Sequence, residues 1–123
     1  MPLQLDTGKE NLDMFFKDYQ VESLRYLWRV QPEGANSRSV WVNVNESLQG
    51  SISRASVINF LNHMADEALL TYTETTGKGG HYGIYSIKYN ETEFLETMAT
   101  LIISKLLREY PEATGKALLN LDI

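Results

Sequence analysis

Apolar side chains recur at spacings of three and four along most of this chain. Leu12, Phe15, Phe16 and Tyr19 fall on one side of residues 11–19, which predicts a short amphipathic helix. A second helix is predicted from about Gln20 to Val30, with Val21, Leu24, Leu27 and Trp28 on its apolar face. Pro32 and Gly34 stop it, because proline lacks the N–H that a helix needs and glycine relaxes the backbone. Residues 38–48 fit two templates. Val40, Val42 and Val44 alternate as in a strand, whereas Val40, Val44 and Leu48, with Trp41, form a helical stripe. Helix is preferred, capped by Ser37 or Ser39, because a strong helix follows.

That helix spans about 53–67. Val57, Phe60, Leu61, Met64 and Leu69 are apolar at spacings of three and four, and Ser51 or Ser53 offers a cap. Its other side carries Arg54, Ala55, Ile58, Asn59 and Asn62, with no acid before Asp66. Leu70–Glu74 then reads as a strand, Thr75–Gly80 as a turn and His81–Tyr89 as a second strand. The glycines of the turn permit the positive φ angles of a hairpin. Glu91–Tyr110 is predicted as a long helix of about five turns, roughly 30 Å at 1.5 Å per residue, ended by Pro111. Residues 111–123 fit a short helix or a loose tail.

Most of the circumference of the 91–110 helix is apolar. A small domain covers a single stripe of such a helix, so a second surface is expected on the rest. The same helix of another subunit is the most economical cover, with Phe94, Leu95, Met98, Leu101, Ile102 and Leu106 as dimerisation residues. The expected organisation is an N-terminal helical arm (1–19), a winged helix-turn-helix domain (20–90), and a C-terminal dimerisation helix with a tail (91–123).

Two helices, a turn, a third helix and a glycine-tipped hairpin make the winged-helix order. The fold class is therefore mainly α with a β-hairpin wing. In that geometry the third helix enters the major groove and the hairpin lies along the backbone or minor groove. Two stretches also resemble a known family. Ser53-Arg54-Ala55-Ser56-Val57, with Phe60-Leu61-Asn62-His63-Met64 and Asp66-Glu67-Ala68-Leu69-Leu70, resembles the recognition segment of winged-helix repressors. The likeness is to the penicillinase-repressor group and its archaeal relatives, and more distantly to MarR-type regulators. Thr76-Gly77-Lys78-Gly79-Gly80-His81-Tyr82 resembles the wing of the archaeal relatives. The resemblance covers about residues 20–90, and 91–110 only by position and amphipathicity. It implies a homodimeric transcriptional repressor on a two-fold-related operator. The chain departs from the pattern at Ala68, where many such sequences have glycine. The helix must then leave its last turn without glycine, or continue briefly.

The residues assigned to double-stranded DNA are Ser51, Ser53, Arg54, Ala55, Ser56, Asn59, Lys78, His81 and Tyr82. Arg54 can donate twice to a guanine edge or once to a phosphate; the plainer reading is a solvated arginine. The serines can bind phosphate, and Ser53 serves equally as a cap. Asn59 matches an adenine edge, and Asn62 lies a turn deeper. Lys78 at the hairpin tip can meet phosphate or the minor groove, flanked by His81 and Tyr82.

Composition narrows the alternatives. The 123 residues suit one domain, and 43% of them are hydrophobic, enough to form a core. The absence of cysteine excludes disulfides, thiolate metal sites and cysteine nucleophiles. His63 and His81 lack nearby ligands in sequence, so no metal is assigned. The Gly-Lys-Gly-Gly run has neither the spacing nor the Ser/Thr of a phosphate-binding loop, and it joins two strands. No catalytic motif is present, so neither an enzyme nor a cofactor is expected. No apolar run approaches 18 residues, and the start MPLQLDTGKE is not a signal peptide, so a cytoplasmic protein without membrane contact is expected.

The net charge of −5 opposes strong non-specific binding to nucleic acid. Its distribution softens that objection. Residues 1–50 carry 5 basic and 7 acidic side chains, residues 51–90 carry 3 and 3, and residues 91–123 carry 3 and 6. The middle is therefore neutral. The same acidity motivates the rival reading, a winged-helix protein-interaction module that does not read DNA. An effector pocket is compatible with the architecture, but no residue pattern points to one.

Overall fold

A computed structural model describes residues 4–77 and 80–121, with the side chains of residues 80–82 outside the description. Its helices are α1 (Asp18–Arg29), α2 (Ser37–Leu48), α3 (Arg54–Asp66), α4 (Glu91–Glu109) and α5 (Pro111–Leu119). Strands β1 (Thr71–Gly77) and β2 (Gly80–Ser86) form an antiparallel hairpin between α3 and α4. This is a winged helix followed by a long C-terminal helix.

The N-terminal segment is a correction. The apolar spacing of 11–19 predicts a helix, but the chain forms only a single 3-10 turn, Asn11–Met14. Leu12 and Phe16 are buried one turn apart, and this anchors the segment. Lys17 then turns extended, and its backbone N–H donates to the Gln20 side chain at 2.9 Å, which opens α1 at Asp18. Tyr19 belongs to α1 and not to the arm.

The ambiguity at 38–48 resolves as helix. Val40 and Val44, four apart, are fully buried, while Val42 between them is exposed, a pattern that a strand cannot produce. Its cap is Asn36, which accepts from Ser39 N–H at 2.8 Å, not Ser37 or Ser39.

The core of residues 1–88 is built from α1, α2, α3 and the hairpin. Val21, Leu24, Leu27, Val40, Val44, Val57, Phe60, Leu61, Met64 and Leu69 are all buried. Two ring contacts fix the N-terminal segment and the start of α1 to α3: Phe16 and Tyr19 each meet Phe60 edge-on, at 5.8 and 6.3 Å between centroids.

The hairpin departs from its expected bounds: β1 runs on to Gly77 instead of stopping at Glu74, and β2 begins at Gly80 and ends at Ser86, short of Tyr89. Pairing runs from Thr71 opposite Ser86 to Gly77 opposite Gly80. Beyond β2, Ala35 adds a single bridge to Tyr85 on its far side.

Residues 89–123 form a second compact unit of two helices. Asn90 and Glu93 cap α4 reciprocally, each side chain accepting from the other's backbone N–H. Pro111 opens α5, and Thr114 Oγ1 donates back to Leu106 O at 3.0 Å across the break. Among the described residues, no helix is long and apolar enough to cross a membrane.

Candidate nucleic-acid interface

The turn between α2 and α3 sets the position of α3. Gln49 ends α2 in the left-handed region, and Ile52 is then held from both sides. Trp41 Nε1 donates to Ile52 O at 2.8 Å, and Ile52 N–H donates to Asn45 Oδ1 at 2.9 Å. Trp41, read from sequence as a packing residue, is half-buried and also supplies this hydrogen bond. Ser53 caps α3 by accepting from Ser56 N–H at 3.1 Å. The two hydroxyls lie 2.8 Å apart and bond to each other.

At 100° per residue, the four buried side chains of α3 leave Ala55, Asn59, Asn62 and Asp66 in one line on the opposite side. All four are exposed. Arg54 and half-buried Ile58 flank the line on one side, and half-buried Ser56 and His63 on the other. No acid interrupts the first three turns. Neither Arg54 nor Asn59 has a side-chain partner among the described residues. Both are therefore available to a ligand.

The other assigned residues divide. Ser51 is exposed in the turn, and Ser53 is committed to its cap. His81 and Tyr82 sit in β2 opposite Thr76 and Thr75, with only their backbone described. Lys78 lies outside the described residues.

Sequence reasoning missed two features. A surface cleft of about 310 Å³ runs beside α3, lined by Phe15, Lys17, Tyr19, Asn59, Phe60 and His63 among others. It brings the exposed Lys17 alongside Ser56 and Asn59. No local signal could reveal this, because the neighbours are about forty residues apart and are joined by the Phe16–Phe60 contact. The second feature is a hydrogen bond from Tyr85 on β2 to Asn62 Oδ1, 2.5 Å long. Tyr85 is buried, its ring packs on Tyr72 at 4.9 Å between centroids, and both effects push its phenol above the ordinary value, burial more than Tyr72. The hydroxyl therefore stays protonated and donates.

Ala68 answers the question raised by its missing glycine. Its φ of 61° is left-handed, so alanine occupies the conformation that glycine adopts at lower cost. The exit is sealed by Leu69 and Leu70, whose N–H groups both donate to Met64 O, at 2.9 and 3.2 Å.

No family model matches the chain, and no curated protein matches it in sequence. In structure it is similar to a possible transcriptional regulator from Methanosarcina mazei Go1. That likeness has a TM-score of 0.54 at 12% identity, over 88% of this chain and 81% of the other. At that identity the two proteins share a fold.

Proposed function

We propose that the protein is a DNA-binding transcriptional regulator, acting as a homodimer and repressing by occupying a two-fold-related operator. The observation that carries this reading is the free side of α3. Ala55, Asn59 and Asn62 form a solvated line beside Arg54, which has no side-chain partner among the described residues, on a helix of the width and order that the major groove accepts. A helix-turn-helix with a hairpin behind it and a structural likeness to a possible transcriptional regulator accord with the same reading.

In this reading Arg54 contacts guanine or phosphate, Ala55 meets a thymine methyl and Asn59 pairs with adenine. Lys17 adds a phosphate contact at the side of α3, and Lys78, His81 and Tyr82 serve the hairpin's contact. Residues 91–123 supply self-association. The two α3 helices of the dimer then lie about 34 Å apart, one turn of DNA.

Fluorescence anisotropy on sequences selected from genomic fragments tests the proposal. The wild-type chain is expected to enrich a sequence with dyad symmetry. Arg54→Ala should weaken binding by about tenfold. With two to four phosphates contacted per subunit, log K should fall against log salt with a slope of about −2 to −4 per subunit. Failure to enrich any sequence, or an Arg54→Ala variant that binds like wild type, overturns the reading. Recovery of a non-self protein partner alongside that failure would favour an interaction module instead.

A further inference from the structure

Asn59 and Asn62 occupy the same exposed line of α3, yet their amide groups are not equivalent. Asn59 has neither end engaged among the described residues. Asn62 Oδ1 accepts the hydroxyl of Tyr85, and its Nδ2 has no partner among the described residues. A bidentate contact to adenine needs both ends of an asparagine: the oxygen accepts from N6–H and the nitrogen donates to N7. Asn59 can form that contact. Tyr85 takes one lone pair of the Asn62 oxygen and holds that end toward the protein, which leaves both N–H donors free.

We infer that Asn62 is a specificity-determining residue whose readout is set by Tyr85: held with its oxygen toward Tyr85 and its two donors free, it selects guanine over adenine. The inference rests on the proposal that α3 reads DNA. The chemical ground is the difference between the purine edges. Guanine presents two acceptors in the major groove, N7 and O6, both of which an amide nitrogen can serve. Adenine presents one acceptor and one donor, and its donor would have to share an oxygen that already accepts from Tyr85.

Tyr85 is suited to hold this state. Its backbone is fixed by two hydrogen bonds to Ala35, and its ring is buried against Tyr72. Neither element moves with the side chain of Asn62. The wing strand therefore sets the orientation of a group on the reading helix from 23 residues away in sequence. Tyr85 touches no base and is a positioning residue.

The test is selection from a random-sequence duplex library with the full-length wild type, Asn62→Ala and Tyr85→Phe, followed by affinities for single-base variants of the selected site. Asn62→Ala should make one position per half-site indifferent, which identifies the base pair that it reads. Wild type should prefer guanine over adenine there by about three- to tenfold, the worth of one hydrogen bond. Tyr85→Phe keeps the ring and frees Asn62 Oδ1, so preference at that position should move toward adenine. Its other positions should be unchanged.

A merely structural role for Tyr85 would weaken every position equally. That result, an unchanged base preference in Tyr85→Phe, an adenine preference in wild type, or no position affected by Asn62→Ala, would each overturn the inference alone. Failure of wild type to enrich any sequence would overturn the DNA-reading proposal together with it. Asn62 is exposed, so its alanine variant folds even if the tyrosine variant does not, and the identity of the base at the affected position then decides.

Discussion

Ala35 and Tyr85 exchange both of their backbone hydrogen bonds, at 2.9 Å from Ala35 N–H and 2.8 Å from Tyr85 N–H. This one bridge ties the loop after α1 to the wing. It brings Gly34, the preceding residue, directly against the sheet. Gly34 has a φ of 79°, and a Cβ there would overlap the carbonyl oxygen of Tyr85 and lie 2.8 Å from Ser86 Cβ. Backbone cannot yield as an exposed side chain would. Gly34→Ala is expected to destabilise the protein by about 2–4 kcal/mol, combining the left-handed penalty with the overlap. A thermal melt should register this as a drop of roughly 10 °C or more. A melting temperature unchanged within about 2 °C would show that the bridge is not rigid.

Ala68 offers the opposite change. It already holds the left-handed conformation, so glycine relieves strain without removing any contact of the exposed side chain. Ala68→Gly should stabilise by about 1 kcal/mol, less the extra freedom that glycine gives the unfolded chain. Denaturant titration should move the midpoint upward with an unchanged slope.

Tyr85 also predicts a response to alkali. Its phenol titrates above the ordinary 10.0 in the folded protein, chiefly through burial and secondarily through Tyr72. A raised folded value means that the native state holds the proton more tightly than the unfolded chain. The stabilisation is therefore complete below the unfolded value and is lost as pH rises through the folded one. The melting temperature of wild type should fall more steeply above about pH 10 than that of Tyr85→Phe. Parallel curves would mean that the phenol ionises as freely folded as unfolded.

The C-terminal unit predicts self-association. Phe94 and Met98 are buried within the single chain, and Leu95, Leu101 and Ile102 are half-buried. Ile103, Leu106, Leu107 and Leu118 are exposed, with Tyr110 at 62% and Leu119 at 87%. Fully covering one such leucine is worth about 1.5–3 kcal/mol. Sedimentation should find a dimer at micromolar concentration, and Leu106→Glu should shift it toward monomer with unchanged helical circular dichroism. An intact wild-type monomer at high micromolar concentration would rule the interface out.

Much of the fold is legible in the spacing of apolar residues, because the elements are long and their buried faces regular. The helix expected at about 53–67 is Arg54–Asp66, and its outward residues are the ones the period places there. Legibility fails where a short element is decided by tertiary contacts. Leu12 and Phe16 carry a helical spacing, but they bury as two anchors, one within a 3-10 turn and one just after it. It fails again at the site wherever a contact joins distant positions. Lys17 beside Asn59, and Tyr85 on Asn62, leave no mark on the local pattern.

Asp66 stands at the foot of the line that Ala55 begins. In the proposed complex its carboxylate discourages that end from nearing a polyanion, so the helix docks tip first and offers only the stretch from Arg54 to Asn62. Eight steps of 1.5 Å make about 12 Å, the height of roughly three to four stacked base pairs. An address that short is met by chance many times in any chromosome. For the proposed dimer, selecting one site would then fall to how readily the spacer between the two half-sites bends or narrows, a property of DNA that no side chain needs to touch.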